Sequence, residues 1–330
     1  TVSGTITPLD NATLSIPDAG TTLTYAGDNL TVGSHTLTLA GAGTFANVAG
    51  SLIILDLPES VLHLSGTGAV TGSVRLEGCT LKATGAPTLS GTLTQWDNAT
   101  IEVASGSTLA YSGPSLSLGL HTLTLSGGGT LANTNALRLD QPDSTLALDG
   151  IESVGAVSVT ADANAGKGLK VGQSATLGKL SVEAAALLEI ADNQTLGGPV
   201  TLNPNSSLEI SGGGDFTGDL DLAGGTLRVS DNRSLSGTVG VSADSVMIVS
   251  DDASLTLSQS GGLAVGGSTL TLNGGGAVRG SSLQLDNAAS QLRLSGITVD
   301  NVSTSSDSLG ILVDNASTVN NLSLGNLVPL

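Results

Sequence analysis

Apolar residues recur at every second position in short runs along the whole chain: TLSI from Thr13, TLTL from Thr36, TLAL from Thr145, SLEI from Ser207, TLRV from Thr226, SLTL from Ser254 and QLRL from Gln291. The positions between them hold Thr, Ser, Glu, Arg or Ala, which is the period of a strand with one face buried and the other in water. Gly-Gly, Asp-Asn, Ser-Gly and Pro-Asn clusters separate the runs and predict turns. The single stretch with helical character, EAAALLEI at residues 183–190, ends in the same alternation and reads as a strand there.

The alternation is itself repeated. LLEIADNQTLGGPV from Leu187 aligns with TLRVSDNRSLSGTV from Thr226, and strands beginning at Leu188, Leu208, Leu227 and Met247 follow one another at steps of 20, 19 and 20. VTL at Val200, LDL at Leu220 and VGV at Val239 fall between them, so each coil carries at least two strands. At longer range HTLTLAGAGTFAN from His35 recurs as HTLTLSGGGTLAN from His121 and as STLTLNGGGAVRG from Ser268, shifts of 86 and 147 that correspond to four and seven coils. A fixed period places equivalent residues above one another in parallel, in-register ladders, whereas a hairpin fold would reverse direction at each turn. The pattern predicts an all-β, parallel β-helix (β-solenoid) of about 20 residues per coil, right-handed, with roughly 16 coils forming one domain over residues 1–330.

Composition narrows the role of that scaffold. Apolar residues make up 39% of the 330, enough to close a core, but only five are aromatic, so Leu, Val and Ile must fill it, and 46 glycines are available for the corners. With 28 acidic against 10 basic residues and a net charge of -18, the chain repels nucleic acid and anionic membrane surfaces. No apolar run approaches the length of a membrane span. The lone Cys79 has no disulfide partner and reads as a small packing residue at a turn. The start, TVSGTITPLD, lacks Met, a basic region and an apolar stretch, and reads as a processed mature end or as a cut within a longer chain. Few Lys and Cys with abundant Ser and Thr fit a secreted or cell-surface protein.

Little of the chain looks like chemistry. His35 and His121 are repeat equivalents four coils apart and cannot share an ion, and His63 is the outward member of VLHL. No G-x-S-x-G elbow occurs, and Gly166-Lys167-Gly168 lacks the spacing and the helix of a phosphate loop. Asp215, Asp219 and Asp221, in GGGDFTGDLDL, are the best acidic group, candidates for calcium or for acid/base cleavage of a polysaccharide. The near absence of aromatic and basic residues around them argues against an enzyme, and no cofactor other than calcium is expected. Eight Asp-Asn pairs mark turns, and Asn11, Asn29, Asn98, Asn193, Asn232, Asn301 and Asn315 begin N-x-S/T sequons that could accept glycans. Thr pairs such as Thr36 and Thr38 suggest an ice-binding array, but Arg, Lys and Glu on intervening coils break it. Glu209 and Arg228 fall on equivalent outward positions and should be ladder neighbours.

The G-G-T-L-x-V segment from Gly224 to Val229, its shorter form from Gly129 to Leu131, the repeat period and the Thr, Ser, Asn and Gly excess resemble bacterial cell-surface β-solenoids, namely autotransporter passenger domains and filamentous-haemagglutinin-like adhesins. The resemblance implies attachment or surface structure and names no ligand; neither a membrane-anchoring barrel segment nor a haemagglutinin-type secretion domain is present in the sequence. Neither end carries a charged cap or an amphipathic helix, so Val2, Ile6, Leu324, Leu327, Val328 and Leu330 are expected at an assembly interface. The expected function is that of a non-enzymatic structural subunit stacking head to tail with copies of itself into an extracellular fibre. An adhesin stalk binding a glycan or host protein is the alternative, and a polysaccharide-active β-helix enzyme the lesser one.

Overall fold

A computed structural model of the chain describes residues 1–304 and 308–325. The fold is all-β: parallel strands stack as a β-solenoid of about 14 turns with about 22 residues per turn, and the described residues contain no helix. The chain divides into two compact units, residues 1–158 with 167–178 and residues 159–166 with 179–330.

In the first unit each turn contributes up to three strands. The strands Thr36–Gly41, Val61–Gly66, Thr80–Gly85, Ala99–Val103 and Thr122–Ser126 follow one another on one face. Thr22–Tyr25, Thr44–Asn47 and Ala69–Val70 form a second face, and Leu52–Leu55, Ser73–Leu76 and Leu93–Gln95 a third. His35 and His121 therefore open strands four turns apart, as their spacing predicts. In the second unit Ala185–Ile190, Ser207–Gly212, Thr226–Val229 and Ser245–Val249 repeat the arrangement in parallel. The stretch of helical character thus ends in a strand.

The core is a set of aliphatic columns. Leu37, Leu62, Leu81, Ile101, Leu125 and Leu148 lie one above the next and are all buried. Each contributes about 1.5–3 kcal/mol through burial. Outward columns carry the polar residues, and Glu209 does sit opposite Arg228.

The turn length corrects the expected 20-residue period and the count of 16 coils. Thr36 pairs with Val61, 25 residues on, whereas Thr80 pairs with Thr100, 20 residues on. The register between Leu188 and Leu208 differs too: Leu188 lies opposite Ile210, and Leu208 opposite Ala186. A slip of two residues leaves every apolar side chain facing inward, so alternation alone cannot tell a 20-residue from a 22-residue turn. Corners absorb the difference. In three long turns a buried serine does so: the Ser60, Ser144 and Ser290 hydroxyls each accept the backbone N–H three residues earlier, from Leu57, Gln141 and Asn287. Each then donates to a glycine carbonyl of the preceding turn, Gly33, Gly119 or Gly266. Those glycines have φ of +62°, +56° and +62°, a left-handed geometry that side chains disfavour.

Candidate functional site

Among the described residues no three His, Cys, Asp or Glu side chains come together to hold a metal ion. Asp215 is exposed in the two-residue strand Asp215–Phe216. Asp219 accepts the backbone N–H of Thr238 at 2.8 Å through Oδ1, and Asp221 accepts the hydroxyl of Ser242 at 2.7 Å. Two of the three carboxylates thus tie one turn to the next: Asp219 and Asp221 engage separate partners along the stack, whereas a calcium ligand set needs oxygens converging on a point.

The histidines are equally dispersed. His63 bonds Thr84 Oγ1 at 2.9 Å and faces Lys82 across the ladder; burial first, then the Lys82 charge, hold its pKa below the usual imidazole value. Lys82 itself pairs with Glu102 at 2.7 Å. His121 stands 4.0 Å from Asp97. Cys79 is buried, and loss of solvation pushes its thiol up to about 11, so it is inert at neutral pH.

The Asp-Asn turns have a structural task that spacing did not disclose. Asn11, Asn29 and Asn98 accept, through Oδ1, the backbone N–H of Thr36, Leu52 and Thr122 in the following turn at 2.7–3.0 Å. Asn232 accepts the Ser254 hydroxyl, and Asn193 holds a left-handed φ of +60°. Asn301 and Asn315 instead spend the amide nitrogen, the atom a glycan would need, on Gly280 O and Ser295 Oγ.

Two regions of the described surface bear on function. The first is Trp96, the only tryptophan, which is 62% exposed at the end of Leu93–Gln95. The Arg75 guanidinium lies 4.5 Å from its ring centroid and pairs with Glu77 at 2.5 Å. Sequence reasoning did not single out Trp96, although it is the one tryptophan in a chain with few aromatics; the parallel register brings Arg75 beside it, opposite Thr94.

The second is the last described turn. Val313 and Leu322 face inward, opposite Leu294 and Val302. They are 53% and 49% exposed, against 0% and 2% for the residues beneath them. Leu324, expected at an interface, is exposed there as well. Leu327, Val328 and Leu330 lie outside the described residues. At the first turn Leu14 is half-buried while Leu39 beneath it is buried. Val2 is not an open edge: it bridges Tyr25, taking Thr24 O through its N–H and giving its carbonyl to Ala26 N–H. Ile6 lies against the same tyrosine, its N–H 3.5 Å from the phenol oxygen.

Comparison with family models, with curated proteins and with solved structures finds no match to this chain.

Proposed function

We propose that the chain is a structural β-solenoid subunit that stacks head to tail with copies of itself into a secreted or cell-surface fibre. The observation that carries this reading is the stack itself: turn after turn adds in parallel and in register to the one before it. A parallel sheet edge with an open apolar interior adds another strand wherever one of matching parity is offered. The ladders, serine plugs and Asx ties described above are devices for stacking turns. Composition supports the extracellular location, and the resemblance to bacterial surface solenoids supports a role in surface structure. Electron microscopy and analytical ultracentrifugation of the purified chain across a concentration series test the proposal: filaments or a rising sedimentation coefficient are expected, and a monomer at every concentration overturns it.

Trp96 favours a second reading, an adhesin surface for a glycan. An exposed indole supplies a flat apolar face for a sugar ring, and the Arg75–Glu77 pair supplies donors and acceptors at its edge. Binding on a glycan array that is lost in Trp96→Ala supports this reading; an array with no binding removes it.

A further inference from the structure

Resting on the secreted location proposed above, we propose that Asn98 is a glycan acceptor and that the first sugar of its glycan packs on the indole of Trp96. The motif is Asn98-Ala99-Thr100, an N-x-T sequon, and three features single it out. The first is the state of the acceptor amide. Asn98 is exposed; its Oδ1 accepts the Thr122 N–H of the following turn at 2.7 Å, and its own backbone N–H donates to Asp97 Oδ1 at 2.7 Å. These bonds orient the side chain and use its oxygen, which leaves Nδ2 for a sugar. A glycan there replaces one amide hydrogen and keeps the tie between turns. Asn301 and Asn315 have the opposite arrangement, with Nδ2 donating to Gly280 O and Ser295 Oγ. The second feature is the hydroxyl residue of the motif. Thr100 stands in the outward column between Thr80 and Thr124, one position before the inward, buried Ile101, so acceptor and hydroxyl residue both lie on the outer surface.

The third is the neighbour. Trp96 precedes Asn98 by two residues across the bend at Asp97, a span of at most about 7 Å. The Arg75 guanidinium covers one face of the ring, and the indole is still 62% exposed. A sugar linked to Nδ2 reaches the open part, and the C–H face of its ring buries apolar surface there without displacing Arg75. Asn11 and Asn29 also engage their Oδ1 atoms, but Leu9 and Gly27 stand where Asn98 has Trp96, and neither offers a flat aromatic face. The transfer is a substitution at the anomeric carbon of a sugar phosphate or diphosphate donor held by a glycosyltransferase. The bond from Nδ2 to C1 forms, the bond from C1 to the phosphate oxygen breaks, the phosphate group leaves with the electron pair, and the Nδ2 proton passes to a base of that enzyme. A sugar carried by Asn98 occupies the indole surface that an external glycan would use.

The test secretes the full chain from a eukaryotic cell that glycosylates sequons and maps every site by mass spectrometry. Occupancy at Asn98 is expected. Trp96 is the only tryptophan, so its fluorescence reads this corner alone. Quenching by acrylamide should be weaker by about half than in Thr100→Ala, which loses the sequon and keeps the bond from Thr122 to Asn98. Thr100→Ser, which retains the motif, should keep both occupancy and protection. Enzymatic release of the glycan from the folded wild-type protein should restore quenching, a readout that does not depend on any variant folding. An unmodified Asn98 in that cell overturns the acceptor assignment and leaves the extracellular location standing. An occupied Asn98 whose tryptophan is quenched as readily as after glycan release overturns the packing on Trp96.

Discussion

Gly66→Ala is the substitution whose cost the structure specifies most closely. Gly41, Gly66 and Gly85 form a column at one corner, in register, with φ of +106°, +104° and +85°. A Cβ on Gly66 would lie 2.6 Å from the carbonyl oxygen of Gly41, a backbone atom. That oxygen also accepts the N–H groups of Thr67 at 3.1 Å and Gly68 at 2.9 Å. Relief of the clash therefore separates the two turns by several tenths of an ångström and weakens both bonds. Positive φ costs a non-glycine residue about 1–2 kcal/mol, and each buried hydrogen bond left unmade adds about 1–3 kcal/mol. Against these, alanine recovers about 0.4–1 kcal/mol from the unfolded chain. The net expectation is a loss of about 3–5 kcal/mol. Gly78→Ala is the matched control: its φ is +69° and no atom lies within 4 Å of the new Cβ, so it loses about 0–1.6 kcal/mol. Urea unfolding followed by far-UV circular dichroism compares the two. Because long repeat arrays need not unfold in one step, the readout is the difference in midpoint for loss of strand signal. Coincident midpoints would refute the corner-clash argument.

Leu81→Ala, between buried Leu62 and Ile101, should cost about 2–5 kcal/mol in the same assay, whereas Leu9→Ala at an exposed site should change stability by less than about 0.5 kcal/mol. Ser60→Ala removes a plug that bonds Leu57 N–H and Gly33 O and should cost about 1–3 kcal/mol; an unchanged midpoint would show that these bonds are replaced by water. The Cys79 thiol is raised on folding, so its contribution to stability is complete below the unfolded pKa and is lost as pH rises through about 11; alkylation of the native protein should stay slow until that range, and rapid labelling at pH 8 would contradict its burial. Assembly of a chain with net charge -18 should strengthen as salt is added, since copies of like charge have to meet; light scattering that falls with salt would contradict association between such copies.

The sequence by itself determined the class of fold and much of its core. Period-two alternation can satisfy only strands, and block repeats such as HTLTL from His35 and His121 can satisfy only stacked turns, so the parallel solenoid and its four-turn spacing were legible. The face on which each Leu lies follows from alternation alone. The turn length was not legible, because a two-residue slip preserves that alternation, and the choice between pairing Leu188 with Leu208 or with Ile210 depends on how corners close. The buried serines were missed for a related reason: Asp56, Asp140 and Asp286 each precede a serine by four residues, but the glycine carbonyl that makes that serine structural comes from the previous turn. The same holds for Asp219 and Asp221, which look like a cluster along the chain and become separate ties between turns once stacked. Local pattern fixes which way a side chain points, since that depends only on the strand's own geometry. Which neighbour it meets a turn away depends on the number of residues each corner consumes, and only the tertiary structure decides that number.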